Sequence, residues 1–160
     1  ATGSNQTATA SSSKLSFNPS TGLLSTTSNQ ANYADLAELY ESDSDYVSGT
    51  VVEFGGYKEI TITTSTMSTK VAGVISDQPA YLMNSDANGT YMLAVALQGR
   101  VPVKVRGSVA KGDMLVSAAD GYAVACDNPR VGSVIGKSLE NFTSTPENPT
   151  TVIEIVIGRD

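Results

Sequence analysis

GTVVEFGGYKEITITT, residues 49–64, places two runs of strand-forming residues on either side of a Gly-Gly pair. Val51, Val52 and Phe54 stand before Gly55-Gly56, and Ile60 and Ile62 alternate with Thr61 and Thr63 after it. This pattern predicts a β-hairpin with a two-residue turn. The same grammar continues outward from there. KVAGVIS (70–76), YMLAVALQ (91–98), RVPVKVRG (100–107), GDMLVSA (112–118), YAVACD (122–127), RVGSVIGKSL (130–139) and TVIEIVIG (151–158) are all short, and most are bounded by Gly, Pro, Asn or Asp. Asp120-Gly121 is a second hairpin signal. The expected fold is all-β, a compact sandwich or barrel-like domain of short strands without a helical layer. Pro102 has no N–H to give to a ladder, so it belongs on an edge or at a bulge.

The β region also echoes itself. Gly49 and Gly73 are 24 residues apart, and so are Gly112 and Gly136. The spacing predicts two related strand–hairpin–strand units folded on each other. Each is followed by a strong strand, LQGRVPVKV (97–105) and TVIEIVIGR (151–159). A duplicated β-body is a rigid scaffold whose loops are free to vary.

Upstream, ANYADLAELYESDSDY (31–46) reads as the single helix of the chain. Asn32 is a capping residue with Asp35 three positions on. Tyr33, Leu36 and Tyr40, beside Ala37 and Leu39, form a stripe at helical spacing. Two or three turns need packing to persist, so a short helical joint over 31–46 is expected between an arm, 1–30, and a head domain, 47–160. Residues 1–28 hold fourteen Ser or Thr. Such a segment buries too little apolar surface to offset its ordering entropy, and an extended Ser/Thr-rich arm is expected. One island interrupts it. In KLSFNPSTGLLS (14–25), Leu15 and Phe17 alternate, Asn18 to Gly22 make a turn, and Leu23-Leu24 follow. A lone two-stranded hairpin is marginal in water. Leu15, Phe17, Leu23 and Leu24 are therefore expected to contact copies of themselves in neighbouring chains.

Composition excludes several kinds of chemistry. Sixteen acidic residues against ten basic ones give a net charge of −6 and an acidic pI, which disfavours nucleic acid and anionic membrane as partners. There is no His, so the commonest general base and metal ligand are missing, and Ser-His-Asp and Cys-His arrangements with them. Cys126 is the sole cysteine and can form neither an internal disulfide nor a thiolate zinc site; it reads as a small buried hydrophobe. No apolar run approaches the roughly 18 residues of a membrane span. No nucleophile elbow, phosphate loop or metal cluster is present. The expectation is a non-enzyme with no catalytic residue, no metal and no cofactor.

Four features point to contacts. NSDANG (84–89) places Asn84, Asp86, Asn88 and Gly89 as in the start of a calcium loop, but Val95 stands where the closing Glu belongs, so a turn is expected. Glu41, Asp43 and Asp45 cluster in ESDSD, where carboxylates so close could favour a divalent cation, but they read as a solvated helix exit. Arg100, Lys104 and Arg106 share one side of an alternating strand whose other side is Val101, Val103 and Val105. That basic strip suits acidic residues of a neighbouring subunit or an anionic glycan. Tyr46, Tyr57, Tyr81, Tyr91 and Tyr122 fall at strand ends and turns, where exposed Tyr can stack on sugar rings. Tyr81, Asn84, Asp86, Asn88 and Tyr91, with the three basic residues, are the candidate receptor or partner contacts. The loops 77–89 and 141–149 are the longest turn-rich insertions.

FNPSTGLLS, ANYADLAELYESDSDYVSGTVVEFGG, VAGVISDQPAYLMNS, VALQGRVPVKVRGSVAKGDMLVSA and VIGKSLE…VIEIVIGR together resemble, in the same order, the C-terminal regions of tail-fibre and related structural proteins of tailed bacteriophages, including cyanophages. The resemblance runs from about Leu15 to Arg159. It implies a virion protein made in the host cytoplasm: a homotrimer with a shaft and a β-rich tip, joined to other virion proteins and set to meet a host-surface glycan. The ADLAE opening is also similar to the start of autoproteolytic chaperone domains on phage appendages. That likeness implies a nucleophile near the joint, with Ser28, Asn29, Asn32 and Ser42 as candidates, and no catalytic residue is assigned.

Overall fold

The computed structural model describes residues 15–27 and 30–158. The chain forms two units, Ala1–Asn32 and Tyr33–Asp160. In the first, β1 (Leu15–Asn18) and β2 (Leu23–Thr26) pair antiparallel, with Phe17 opposite Leu24. Asn18 builds the turn: its Oδ1 accepts from the Ser20 N–H at 3.0 Å and its carbonyl from the Gly22 N–H at 2.8 Å. Every residue of both strands is exposed. The first fourteen residues of the expected arm lie outside the described residues.

The second unit is all-β. Its strands are β3 (Asp35–Glu41), β4 (Val51–Phe54), β5 (Ile60–Ile62), β6 (Val71–Ile75), β7 (Tyr81–Met83), β8 (Met92–Arg106), β9 (Met114–Ser117), β10 (Ala123–Ala125), β11 (Val134–Ser138) and β12 (Thr150–Ile157). A single 3-10 turn at Ala119–Gly121 is the sole helical feature among the described residues.

The expected helix over 31–46 is a strand. β3 lies between two partners, antiparallel to β8 (Leu39 opposite Ala94) and parallel to β7 (Leu36 opposite Tyr81). Ala, Leu and Glu favour a helix by no more than a few tenths of a kcal/mol each. A three-turn helix is marginal, and two ready-made ladders outweigh it. The apolar residues fall at helical spacing because both faces of β3 are partly covered, so period-2 alternation is lost.

Strand order in the main sheet is β10-β9-β11-β12-β8-β6-β4-β5, which is a palindrome of two sets. A shift of 63 residues carries β4 (from 51) onto β9 (from 114), β5 onto β10 and β6 onto β11. A shift of 60 carries the start of β8 onto β12, so Val74 opposite Ala96 repeats as Lys137 opposite Val156. Loop hydrogen bonds repeat too. Gly49 N–H to Ile75 O becomes Gly112 N–H to Ser138 O, both 2.9 Å, and Thr50 N–H to Val47 O becomes Asp113 N–H to Ala110 O. The expected duplication is therefore present, with one correction. The counterpart of β12 is the first half of β8, not LQGRVPVKV. The second half of β8 is instead the counterpart of β3: Ala37 faces Ala96 as Arg100 faces Val156.

β8 thus serves both repeats. Gly99 marks the joint, at φ +105, with Ala34 and Asp35 packed where a Cβ would stand. The second repeat closes into a five-stranded barrel, β8-β12-β11-β9-β10, when Ala123 pairs parallel with Val105. The first closes through the equivalent bridge, Ser42 with Ile60. Pro102 pairs with Glu154 of β12 on one side. Two residues to either side, the N–H groups of Arg100 and Lys104 go to Ala34 O and Gly49 O, away from that ladder. The Pro102 nitrogen points the same way, where no strand needs its hydrogen.

The core falls into two clusters, and Val51, Val74 and Ala96 of the first repeat join the larger one. Val103, Val109, Leu115, Ile135, Ile153 and Ile155 fill the barrel. Their counterparts Tyr40, Tyr46, Val52, Ala72, Leu93 and Val95 form the smaller cluster. Tyr40 meets Phe54 edge to face at 5.6 Å. Gly55-Gly56 is not a two-residue turn. Phe54 pairs with Ile60, so the connection is the five residues 55–59.

Candidate interaction surfaces

Alternation along β8 buries Val101, Val103 and Val105 and turns Arg100, Lys104 and Arg106 outward. The three cations are not equivalent. Lys104 donates to Thr50 Oγ1 at 2.7 Å, and partial burial lowers the pKa of its ammonium. The Arg106 guanidinium lies 4.4 Å from the centre of the Tyr122 ring and 3.3 Å from Asp120 Oδ2. Both are thus engaged within the chain. Arg100 is exposed and has no ion pair among the described residues.

The loop after β7 is held against β3 and does not wave free. Asn84, in the left-handed region at φ +56, donates from Nδ2 to Leu39 O at 3.1 Å. Asn88 Nδ2 donates to Asp86 O at 2.9 Å, closing a turn. Thr90 N–H donates to Glu41 Oε1, and Gly89 packs directly on the Glu41 side chain. Lys58 Nζ lies 2.9 Å from that same oxygen. The hydrogen bond from Lys58, then that from the Thr90 N–H, holds the Glu41 carboxyl below the usual carboxylate range. Tyr40 behaves oppositely. Burial, then its 2.8 Å hydrogen bond to Glu38, pushes its pKa up to about 12. Tyr81 and Tyr91 flank the pinned loop and are exposed.

The three acids of ESDSD go separate ways. Glu41 takes Lys58 and Thr90, Asp43 accepts from the Tyr46 hydroxyl at 2.6 Å, and Asp45 faces solvent. No group of three or more acidic or cysteine side chains poised to hold a metal ion occurs among the described residues. Lys58 and Thr90, which organise the loop, were missed by sequence reasoning. Their link to Glu41 spans 17 and 49 positions and leaves no local pattern.

In the first unit Leu15, Phe17, Leu23 and Leu24 are 40%, 62%, 61% and 59% exposed. Of the residues named for self-cleavage, Ser28 and Asn29 lie outside the described residues. Asn32 is exposed, and Ser42 is buried in the bridge to Ile60.

In fold the second unit is a compact all-β domain whose second repeat closes into a five-stranded barrel. Among solved structures, the chain is similar to pre-mature gene product 12 of bacteriophage phi29, with a TM-score of 0.65 and 16% identity, over 90% of this chain and 24% of that one. It is also similar to the C-terminal fragment of the same gene product 12, with a TM-score of 0.57 and 18% identity, over 77% of this chain and 99% of that one. The head fibre gp8.5 N base of phi29 matches at a TM-score of 0.45 and 19% identity, over 78% and 95% of the two chains. The chain spans about a quarter of the first of these proteins. At such identities the shared property is the fold. No family model matches the chain, and no curated protein does.

Proposed function

We propose that this chain is a structural segment of a phage virion, a trimeric tail-fibre or appendage piece for assembly and host-surface attachment. The observation that carries this reading is the β1–β2 hairpin, whose four large apolar side chains are all exposed on the single chain. An isolated two-stranded sheet of that kind is marginal in water, and its burial calls for partner chains. The phage fold of the second unit supports the same reading. The arm associates with its copies and with other virion proteins, and the head presents its loops to a host-surface glycan.

Light scattering on the eluting full chain tests it. The expected mass is three times 16.6 kDa. The double variant Phe17→Ser, Leu24→Ser is expected to elute as a monomer with the melting temperature of the head unchanged. A stable wild-type monomer overturns the proposal.

A second reading is a self-cleaving chaperone domain that assists trimer assembly. It is favoured by the similar structures themselves, one a pre-mature form and another a C-terminal fragment of the same protein. Intact-mass measurement after expression separates the two. A defined cut within about residues 28–45 supports this second reading, and an uncut trimer supports the first.

A further inference from the structure

We infer that the first repeat carries a sugar-binding groove that the second repeat has filled in. A groove of about 370 Å³ opens where the loop after β3 meets the end of β6 and the start of β8. Leu39, Leu93, Tyr46 and Met92 line it together with the carboxylates of Asp45 and Asp77. The volume is in the range of small-ligand sites.

Its counterpart in the second repeat is closed. Tyr46 corresponds to Val109 and Asp77 to Glu140, each 63 positions on. Val109 is buried and exchanges two 2.8 Å backbone hydrogen bonds with Phe142, whose side chain packs on the barrel core. The loop after β6 makes no such bridge to Tyr46. One architecture thus occurs twice, sealed by a bridged aromatic loop in one copy and open in the other.

The lining selects the ligand. Asp45 and Asp77 are exposed and in no ion pair among the described residues, and no Lys or Arg lines the groove. An anionic ligand would meet two uncompensated carboxylates. An uncharged hexopyranose would donate its hydroxyls to those carboxylates and lay its C–H face on Tyr46 and Met92. This inference rests on the glycan-contact part of the proposed function, and names a different surface from the basic strip of β8.

The test is saturation-transfer NMR and calorimetry on the full chain with methyl glycosides of glucose, galactose, mannose and N-acetylglucosamine, and with an anionic glycan for contrast. Binding of at least one neutral glycoside is expected, weakened roughly tenfold or more by Asp77→Asn and by Asp45→Asn and unchanged by Arg100→Gln. No binding of any neutral glycoside at about 10 mM overturns the inference. So does binding that both Asn variants leave intact, or preference for the anionic glycan. Light scattering on the same samples keeps the readings apart. A monomer that binds sugar sinks the fibre assignment alone, while a trimer that binds none sinks the groove alone.

Discussion

The two repeats of the head share their ladders, their closing bridges and several loop hydrogen bonds, yet they are packed differently. The second is filled with Val, Leu and Ile, and Phe142 seals its end. In the first the equivalent interior is smaller, with Tyr40 and Tyr46 among its members, and the matching end is an open groove. Main-chain pairing therefore fixes the architecture, and side-chain filling decides whether a given copy is scaffold or surface. A duplicated fold can hold one copy closed for stability while the other carries loops that meet a partner.

The largest expected effects come from the positions where the repeats are most alike. A Cβ on Gly73 would stand 2.3 Å from Ala96 O, and one on Gly136 would stand 2.2 Å from Val156 O. In each case the obstacle is the backbone of the next strand, which cannot move without opening its ladder. Gly73→Ala and Gly136→Ala are each expected to cost on the order of 3 kcal/mol, or roughly 6–12 °C in melting temperature. Thermal melts followed by circular dichroism measure this. Similar losses support the equivalence of the two repeats, whereas a harmless substitution at one site breaks it.

Phe142→Ala tests the difference between the repeats. Phe142 is half-buried against the barrel core, so the expected loss is about 2 kcal/mol, below that for a fully buried Phe. Removing the ring should also open the second repeat at the place where the first is open. Faster amide exchange at Val109 and at residue 142 would show it. Unchanged protection there would mean that the bridge, and not the ring, keeps that end shut.

Much of the duplication is legible in the sequence. The Gly49–Gly73 and Gly112–Gly136 spacings mark equivalent residues because the loop after β4 and that after β9 have equal length. The ends of the repeats are not legible. β8 runs as one strand through Gly99, so the boundary falls inside an element and Gly99, which reads as a break between two strands, marks no turn. β3 is obscured for a different reason. Its partners lie more than forty positions away, and DLAELYE in isolation has good helical propensity. The outward face of β8 is readable from alternation, but Lys104 and Arg106 find Thr50 and Tyr122 through the fold, which no local pattern announces. The groove is less legible still, since it is assembled from three separate segments.

The smallest expected effect concerns the loop that the first repeat adds and the second lacks in this form. Glu41 holds that loop through Thr90 and is itself held by Lys58. A carboxyl with a depressed folded pKa contributes stability that is present above its unfolded value and is lost as pH falls through the folded one. Glu41 is half-buried at the surface beside the exposed Lys58, so its contribution to global unfolding is screened and small. The local signal should nevertheless be clear. As pH falls through the lowered pKa of Glu41, the Thr90 amide proton should shift upfield and lose protection relative to its intrinsic exchange rate, and Lys58→Met should move that transition to higher pH. Added salt should move it the same way, since the Lys58 charge is screened. If the Thr90 resonance ignores both pH and Lys58, the loop is held by Asn84 and its backbone contacts alone. The acid-sensitive half of the contrast between the two repeats would then disappear, while the packing half stands.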